Sequence, residues 1–361
     1  MFTYAVYNFI LFSSTLSAYL YEKAQSKIKQ KLYYSITFFI PFFFLAIRYD
    51  IGTDYQNYVE YFYRIANGEM ILKEPGYLIV NYLIIGFDLD VQWLFVFFGF
   101  FFLYFSFNAF PKKGFALGVF LFLSVSYLYE GFSAIRQGLA IGILAYSMRF
   151  IGEGKLVKYL LFVFLASFFH VVTAVLWLLI YPLVKINFNK AFLIIVILIS
   201  FFLIKYTGFV DSLLQLAVSI FPKYAWYLNS KFMQAAAVGS GLGVLLKIFF
   251  VLMAIFFKEK IVTKYKNSNV VINIAVLYII ALLIHLKIQI FGRVEHAFVF
   301  AFILSIVYLV NTFQKESRIL FIIPTSILFY SIFMKYIASG TLVVDNDVYI
   351  NPYQTILERG Y

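Results

Sequence analysis

The sequence predicts an all-α polytopic integral membrane protein with about ten full transmembrane helices and one hairpin of short helices, the 361 residues forming a single transmembrane domain. Three observations predict it. Hydrophobic residues make up 63% of the chain and charged residues only 13%, against about 25% charged in soluble domains, so one water-soluble core cannot absorb this composition and a soluble enzyme is excluded. Apolar runs close to the roughly 20 residues needed to cross a bilayer recur from one terminus to the other. The charges that remain are distributed with a sidedness that only a membrane topology explains.

Taken in order, the first span covers 4–21. No basic stretch precedes it and Lys23, Lys27, Lys29 and Lys31 follow it, so it reads as an uncleaved helix with its N-terminus outside. Further spans are expected at 32–49, 91–110, 114–130, 134–152, 191–207, 241–257, 270–287, 294–313 and 319–336. The apolar stretch from Lys158 to Lys185 is too short for two spans and is basic at both ends. It predicts two short helices that meet near His170 and return to the side they came from. Irregular backbone at such a tip is tolerated only inside protein or against water, so His170 is expected to line a cavity.

With this layout the inner loops hold 17 Lys and Arg and 4 acids, and the rest of the chain holds 12 basic and 13 acidic residues. The positive-inside rule is satisfied, and the net charge of +12 is mostly a topology signal. The basic clusters are short and flank helices, so no nucleic-acid partner is expected. The sequence contains no Cys, which removes disulfides, thiol nucleophiles and thiolate metal centres. The chemistry is expected outside, in the loops 50–90 and 208–240 and the tail 337–361.

Five segments carry residues that apolar packing does not explain. Arg48-Tyr49-Asp50-Ile51-Gly52-Thr53-Asp54-Tyr55 ends the second span; Gly52 permits a turn, and Tyr55, Tyr58, Phe62 and Ile65 share one face of an amphipathic helix along the surface. Glu74-Pro75-Gly76-Tyr77 opens a short apolar helix, with the acid at its positive end. Ser133-Ala134-Ile135-Arg136-Gln137-Gly138 opens the fifth span, where Ala134, Gly138 and Gly142 recur every four residues and allow close backbone packing. Phe168-Phe169-His170 forms the hairpin tip. Phe291-Gly292-Arg293-Val294-Glu295-His296 opens a late span, and there Arg293 and Glu295 either pair or act.

Other signals are weaker. His285 and His296 are eleven apart and lack zinc-site spacing, Gly239, Gly241 and Gly243 read as a loose helix entry, and Asp50 with Asp54 is a thin basis for a divalent ion. Lys247 lies inside an apolar helix, where an unpaired charge costs roughly 2–3 kcal/mol, so it snorkels outward or faces a cavity. Arg48, Arg136 and Arg293 mark the outer ends of three spans. Arginine's planar fork suits phosphate oxygens, and three such groups suit a lipid diphosphate carrying a sugar if they converge.

In their order, separation and placement, Arg48 to Tyr55 with Tyr58, Glu74 to Tyr77, Ala134 to Ala140, Phe168 to His170 and Phe291 to Glu295 resemble the EpsG-like branch of the Wzy polysaccharide polymerases; Asn351-Pro352-Tyr353 is similar to the end of such proteins. The resemblance implies a bacterial inner-membrane glycosyltransferase with a GT-C-like architecture. Such an enzyme moves a growing glycan from undecaprenyl diphosphate to the non-reducing end of the next lipid-linked repeat unit, on the periplasmic face. It implies Arg48, Arg136 and Arg293 at the diphosphate, with Gln137, Tyr55 and Tyr58 beside them, and Asp54, Glu74 or His170 as the base. Lys223, Tyr224 and Lys231 in the loop 208–240 are expected to help select the sugar. No metal or other cofactor is expected, because a diphosphate is already a good leaving group. Both termini are expected outside, and a chain-length regulator and a flippase are the expected protein partners. A lipid-linked oligosaccharide flippase and a membrane O-acyltransferase are the competing readings; a flippase calls for matched halves, and an acyltransferase for its Arg and His near the inner face.

Overall fold

The computed structural model describes residues 1–220, 241–339 and 349–358, with 225, 233 and 235 between them. Lys223, Tyr224, Lys231 and Gly239 lie outside the described residues. The described chain is helical, and its one extended pairing is an antiparallel bridge between Arg48 and Thr355. The helices are α1 (Phe2–Lys23), α2 (Lys27–Ala46), α3 (Tyr55–Ala66), α4 (Pro75–Gly86), α5 (Gln92–Ala109), α6 (Phe115–Val125), α7 (Tyr127–Phe132), α8 (Ile135–Gly152), α9 (Leu156–Ser167), α10 (Val171–Val184), α11 (Lys190–Tyr206), α12 (Phe209–Ile220), α13 (Leu242–Phe256), α14 (Lys258–Val262), α15 (Ser268–Lys287), α16 (Gly292–Ala297), α17 (Val299–Thr312) and α18 (Lys315–Ser339).

Every span expected from the sequence is helical. Among the described residues three helices, α5, α15 and α18, are by themselves long and apolar enough to cross a membrane. The number rises to five if the bent pairs of α11 with α12 and of α16 with α17 each count as one. Two expected spans are broken. The segment 114–130 divides at Ser126, whose carbonyl accepts from the N–H groups of both Tyr129 and Glu130. The segment 294–313 bends by 50° where α16 meets α17.

The chain divides into two compact units. Unit 1 comprises Met1–Phe150, Gly154–Leu179 and Phe313–Tyr361, and unit 2 comprises Ile151–Glu153 and Ile180–Thr312. In unit 1, α1 packs on α2 and α6, α2 on α5, and α18 on α6. The expected small-residue face of α8 is used: a Cβ on Gly138 would fall 2.7 Å from the Glu130 carbonyl oxygen, and one on Gly142 would fall 3.2 Å from the Phe102 carbonyl oxygen of α5. The short-helix hairpin is present as well. Tyr159 of α9 donates its hydroxyl to the Trp177 carbonyl of α10 at 2.6 Å, a pairing symmetric about residue 168, where the chain turns.

In unit 2 the middle helix is α15, which packs on α11, α13 and α17. Both α15 and α17 are apolar on nearly every side and buried along most of their length. A helix of that kind is satisfied only when other helices surround it.

Candidate active site

One end of unit 1 collects four of the five segments. Here α2 ends, α5 and α8 begin, and α9 turns into α10. The turn after α2 requires Gly52: its φ is +102°, and a Cβ would overlap the Phe132 carbonyl. Thr53 N–H then donates to Ser133 Oγ at 3.1 Å, which fastens the turn to the residues entering α8. Gly76 joins the second segment to the fourth, because its N–H donates to the Phe168 carbonyl at 2.8 Å and a side chain would collide with Phe168 and Phe169. Neither junction is visible in sequence, yet each rests on a glycine that the sequence displays.

At the centre, Arg136 Nη1 pairs with Glu74 Oε2, each side chain 19% exposed. Arg136 also hydrogen-bonds the buried Tyr58 and lies 5.3 Å from the centre of the Tyr77 ring. Burial pushes the Tyr58 phenol above its ordinary value, while the Arg136 charge opposes that rise. Arg136 is therefore a cation already held in a fixed orientation, with its Nε unpartnered among the described residues.

The other expected residues of unit 1 stand in different settings. Tyr55 is buried and stacks on Phe95, with ring centres 4.5 Å apart. Gln137 is buried beside Arg136 in the chain. Asp54 is half-buried and accepts from Asn57 Nδ2 at 3.3 Å. His170 is half-buried at the tip, and its Nδ1 faces Thr173 N–H at 3.3 Å and Thr173 Oγ1 at 2.8 Å, capping the first turn of α10.

Arg48, expected at the diphosphate, is only 1% exposed. It donates to the Gly131 carbonyl, and its guanidinium lies 4.8 Å from the centre of the Phe95 ring and 5.0 Å from that of Phe132. The tail covers it. Tyr49 N–H donates to the Gln354 carbonyl at 3.0 Å, Ile356 N–H to the Ile47 carbonyl at 2.9 Å, and Gly52 N–H to the Tyr349 carbonyl at 2.8 Å. Tyr353 sends its hydroxyl to the Phe44 carbonyl at 2.8 Å. In this conformation Arg48 fastens the α7 turn to the end of α2, and α7 leads directly into α8.

The fifth segment belongs to unit 2. Arg293 is exposed. Glu295 is buried, and it is organised by groups the sequence reading set aside or did not weigh: Lys247 Nζ at 2.7 Å, Tyr278 OH at 2.9 Å and His285 Nδ1 at 2.6 Å. Lys247 thus finds the carboxylate that its apolar helix demands. A signal for the cluster does exist, since Tyr278 and His285 are seven apart and share one face of α15. Glu130, buried in α7, was missed; a single acid next to an apolar run offers little to read.

Comparison with curated proteins found no match, and comparison with solved structures found none. The profile of one protein family matches residues 31–355, an interval that contains all five segments and the part of the tail that covers Arg48. The chain belongs to the EpsG family.

Proposed function

We propose that this protein is a bacterial polysaccharide polymerase, a glycosyltransferase that moves a growing glycan from undecaprenyl diphosphate to the non-reducing end of an incoming lipid-linked repeat unit. The observation that carries the reading is the Glu74–Arg136 pair, set where the N–H groups of Thr53 and Gly76 join four segments of unit 1 in pairs. Membership of the EpsG family supports it, as does the apolar, all-helical chain. In this proposal the chain crosses the cell membrane about ten times in a GT-C-like architecture, with both termini and the joined segments outside.

Arg136 supplies a cationic fork for the diphosphate, and Arg48 acts through the segment that it fastens. Fixed donors aimed at a developing anion stabilise a leaving group without reorganisation, and removing one typically costs 10²–10³-fold in rate, about 2.7–4 kcal/mol. The base that deprotonates the acceptor hydroxyl is drawn from Glu74, His170 and Asp54 in this reading, and no metal takes part.

The test incubates purified protein in liposomes with the lipid-linked repeat unit extracted from cells that lack the gene, and resolves the products on a gel. The expected result is a ladder that persists in EDTA and falls by at least about 10²-fold in Arg136→Ala. Repeat units that instead cross the liposome membrane intact, with no ladder, replace the polymerase with a transporter.

A further inference from the structure

One backbone contact ties His170 to the Glu74–Arg136 pair. Gly76, two residues after Glu74, donates its N–H at 2.8 Å to the carbonyl of Phe168, two residues before His170. Phe169 turns into the core, its ring centre 5.8 Å from that of Phe98, and Phe98 lies 6.1 Å from Tyr77, the ring that Arg136 approaches. His170 is left half-buried at the tip. The start of α3 is joined to that of α8 through Thr53 and Ser133, and the start of α4 to that of α10 through Gly76 and Phe168. Each helix start carries a partial positive charge, so all four favour an anion at this end of unit 1.

The state of the imidazole follows from the cap that it makes. The Thr173 N–H, 3.3 Å from Nδ1, can only donate, so the Nδ1 lone pair is used there and the neutral ring carries its proton on Nε2. Thr173 Oγ1, 2.8 Å from the same nitrogen, also fits as a donor. A ring in this form has a hydrogen to offer at Nε2 and no lone pair with which to take one. Asp54 and Glu74 are carboxylates, and each can accept a proton.

We infer that His170 is not the base but a hydrogen-bond donor, through Nε2–H, to the leaving diphosphate. This rests on the glycosyl transfer proposed above. The acceptor oxygen forms its bond to the anomeric carbon and gives its proton to a carboxylate, Asp54 or Glu74. The bond from that carbon to the diphosphate oxygen breaks, and the diphosphate leaves with the electron pair. The His170 proton stays on Nε2 throughout, and its hydrogen bond strengthens as charge builds on the departing oxygen, beside the Arg136 fork. The carboxylate later releases its proton to water, so charge and protons balance.

Two substitutions separate the two ring nitrogens. His170→Asn puts an acceptor where Nδ1 stands, and asparagine is a favoured helix cap, but its side chain is too short to reach the place of Nε2. His170→Gln gives up the cap and brings an amide NH₂ near the place of Nε2, a group that donates and cannot take up a proton. In the liposome ladder assay, His170→Asn should lower polymerisation by about 10²–10³-fold, the usual loss when one fixed donor is removed, while His170→Gln should stay within about tenfold of the wild type. Thermal unfolding in detergent should rank them the other way, with His170→Asn the more stable. Full activity in His170→Asn makes the ring a cap alone and overturns the inference. A loss of about 10²–10⁴-fold in both variants makes it the base and overturns the inference too.

A second readout does not depend on turnover. The sequence has three histidines, so nitrogen NMR of histidine-labelled protein in micelles can read each ring, with assignments from single His→Gln variants. His170 should show the Nε2–H form, and its signal should move on titration with farnesyl diphosphate, a short soluble isoprenoid diphosphate. An Nδ1–H form, or a His170 signal that farnesyl diphosphate leaves in place, overturns the inference while a wild-type ladder keeps the polymerase standing. No ladder from the wild type overturns both.

Discussion

Gly52 shows how much one missing side chain decides. Its φ of +102° and the Phe132 carbonyl directly beyond it leave no room for a Cβ. Gly52→Ala is expected to cost more than about 2 kcal/mol, read as a lower unfolding temperature in detergent, because it adds backbone strain to a clash. The Glu74–Arg136 pair calls for a different experiment. In a double-mutant cycle of Glu74→Gln and Arg136→Met, the two losses should fall short of additivity by about 0.5–3 kcal/mol, with partial exposure holding the value down. Both residues were legible in the sequence, but their pairing across 62 residues was not. Glu295 was legible as well, with pairing to Arg293 as one of its two readings, and helix geometry argues against that pairing. Residues two apart in α16 face different ways, so one turns inward to Lys247 and the other outward.

At the scale of elements, hydropathy located the helices and the hairpin because apolar length and flanking charge are local properties of a chain. The breaks at Ser126 and before α17 escaped it, because the sequence stays apolar on both sides of each and the bend is set by neighbouring helices. The tail was harder still: Asn351-Pro352-Tyr353 matched a family ending, and nothing local says that it lies over Arg48. Tyr353 is the residue on which to test this. Tyr353→Phe should cost about 1 kcal/mol for the lost bond to Phe44, and Tyr353→Ala about 3–5 kcal/mol for the emptied ring site, both measured by thermal unfolding. Equal small losses from the two would show that the tail is not packed in solution.

For the whole molecule the charge asymmetry is the strongest sequence signal, and the ends of α2, α5 and α8 near Arg136 are those that it assigns to the exterior. The absence of cysteine provides a clean test. Glu69→Cys and Lys29→Cys place single thiols at exposed positions on opposite sides of the expected topology. A membrane-impermeant maleimide on intact cells should label the first, and should label the second only after permeabilisation. The reverse pattern would invert the orientation and remove the outer-face site.

The strap over Arg48 also sets an order of events during biosynthesis. Residues 349–356 follow Arg48 by some three hundred positions, and residues 180–312, the bulk of unit 2, are translated in between. At about 5–20 residues per second, the guanidinium between Phe95 and Phe132 waits roughly 15–60 s for its cover. Until then Arg48 lacks the cover that residues 349–356 provide, and unit 1 is completed only after unit 2 has been made. A chain cut short before residue 349 would therefore lack the segment that covers Arg48.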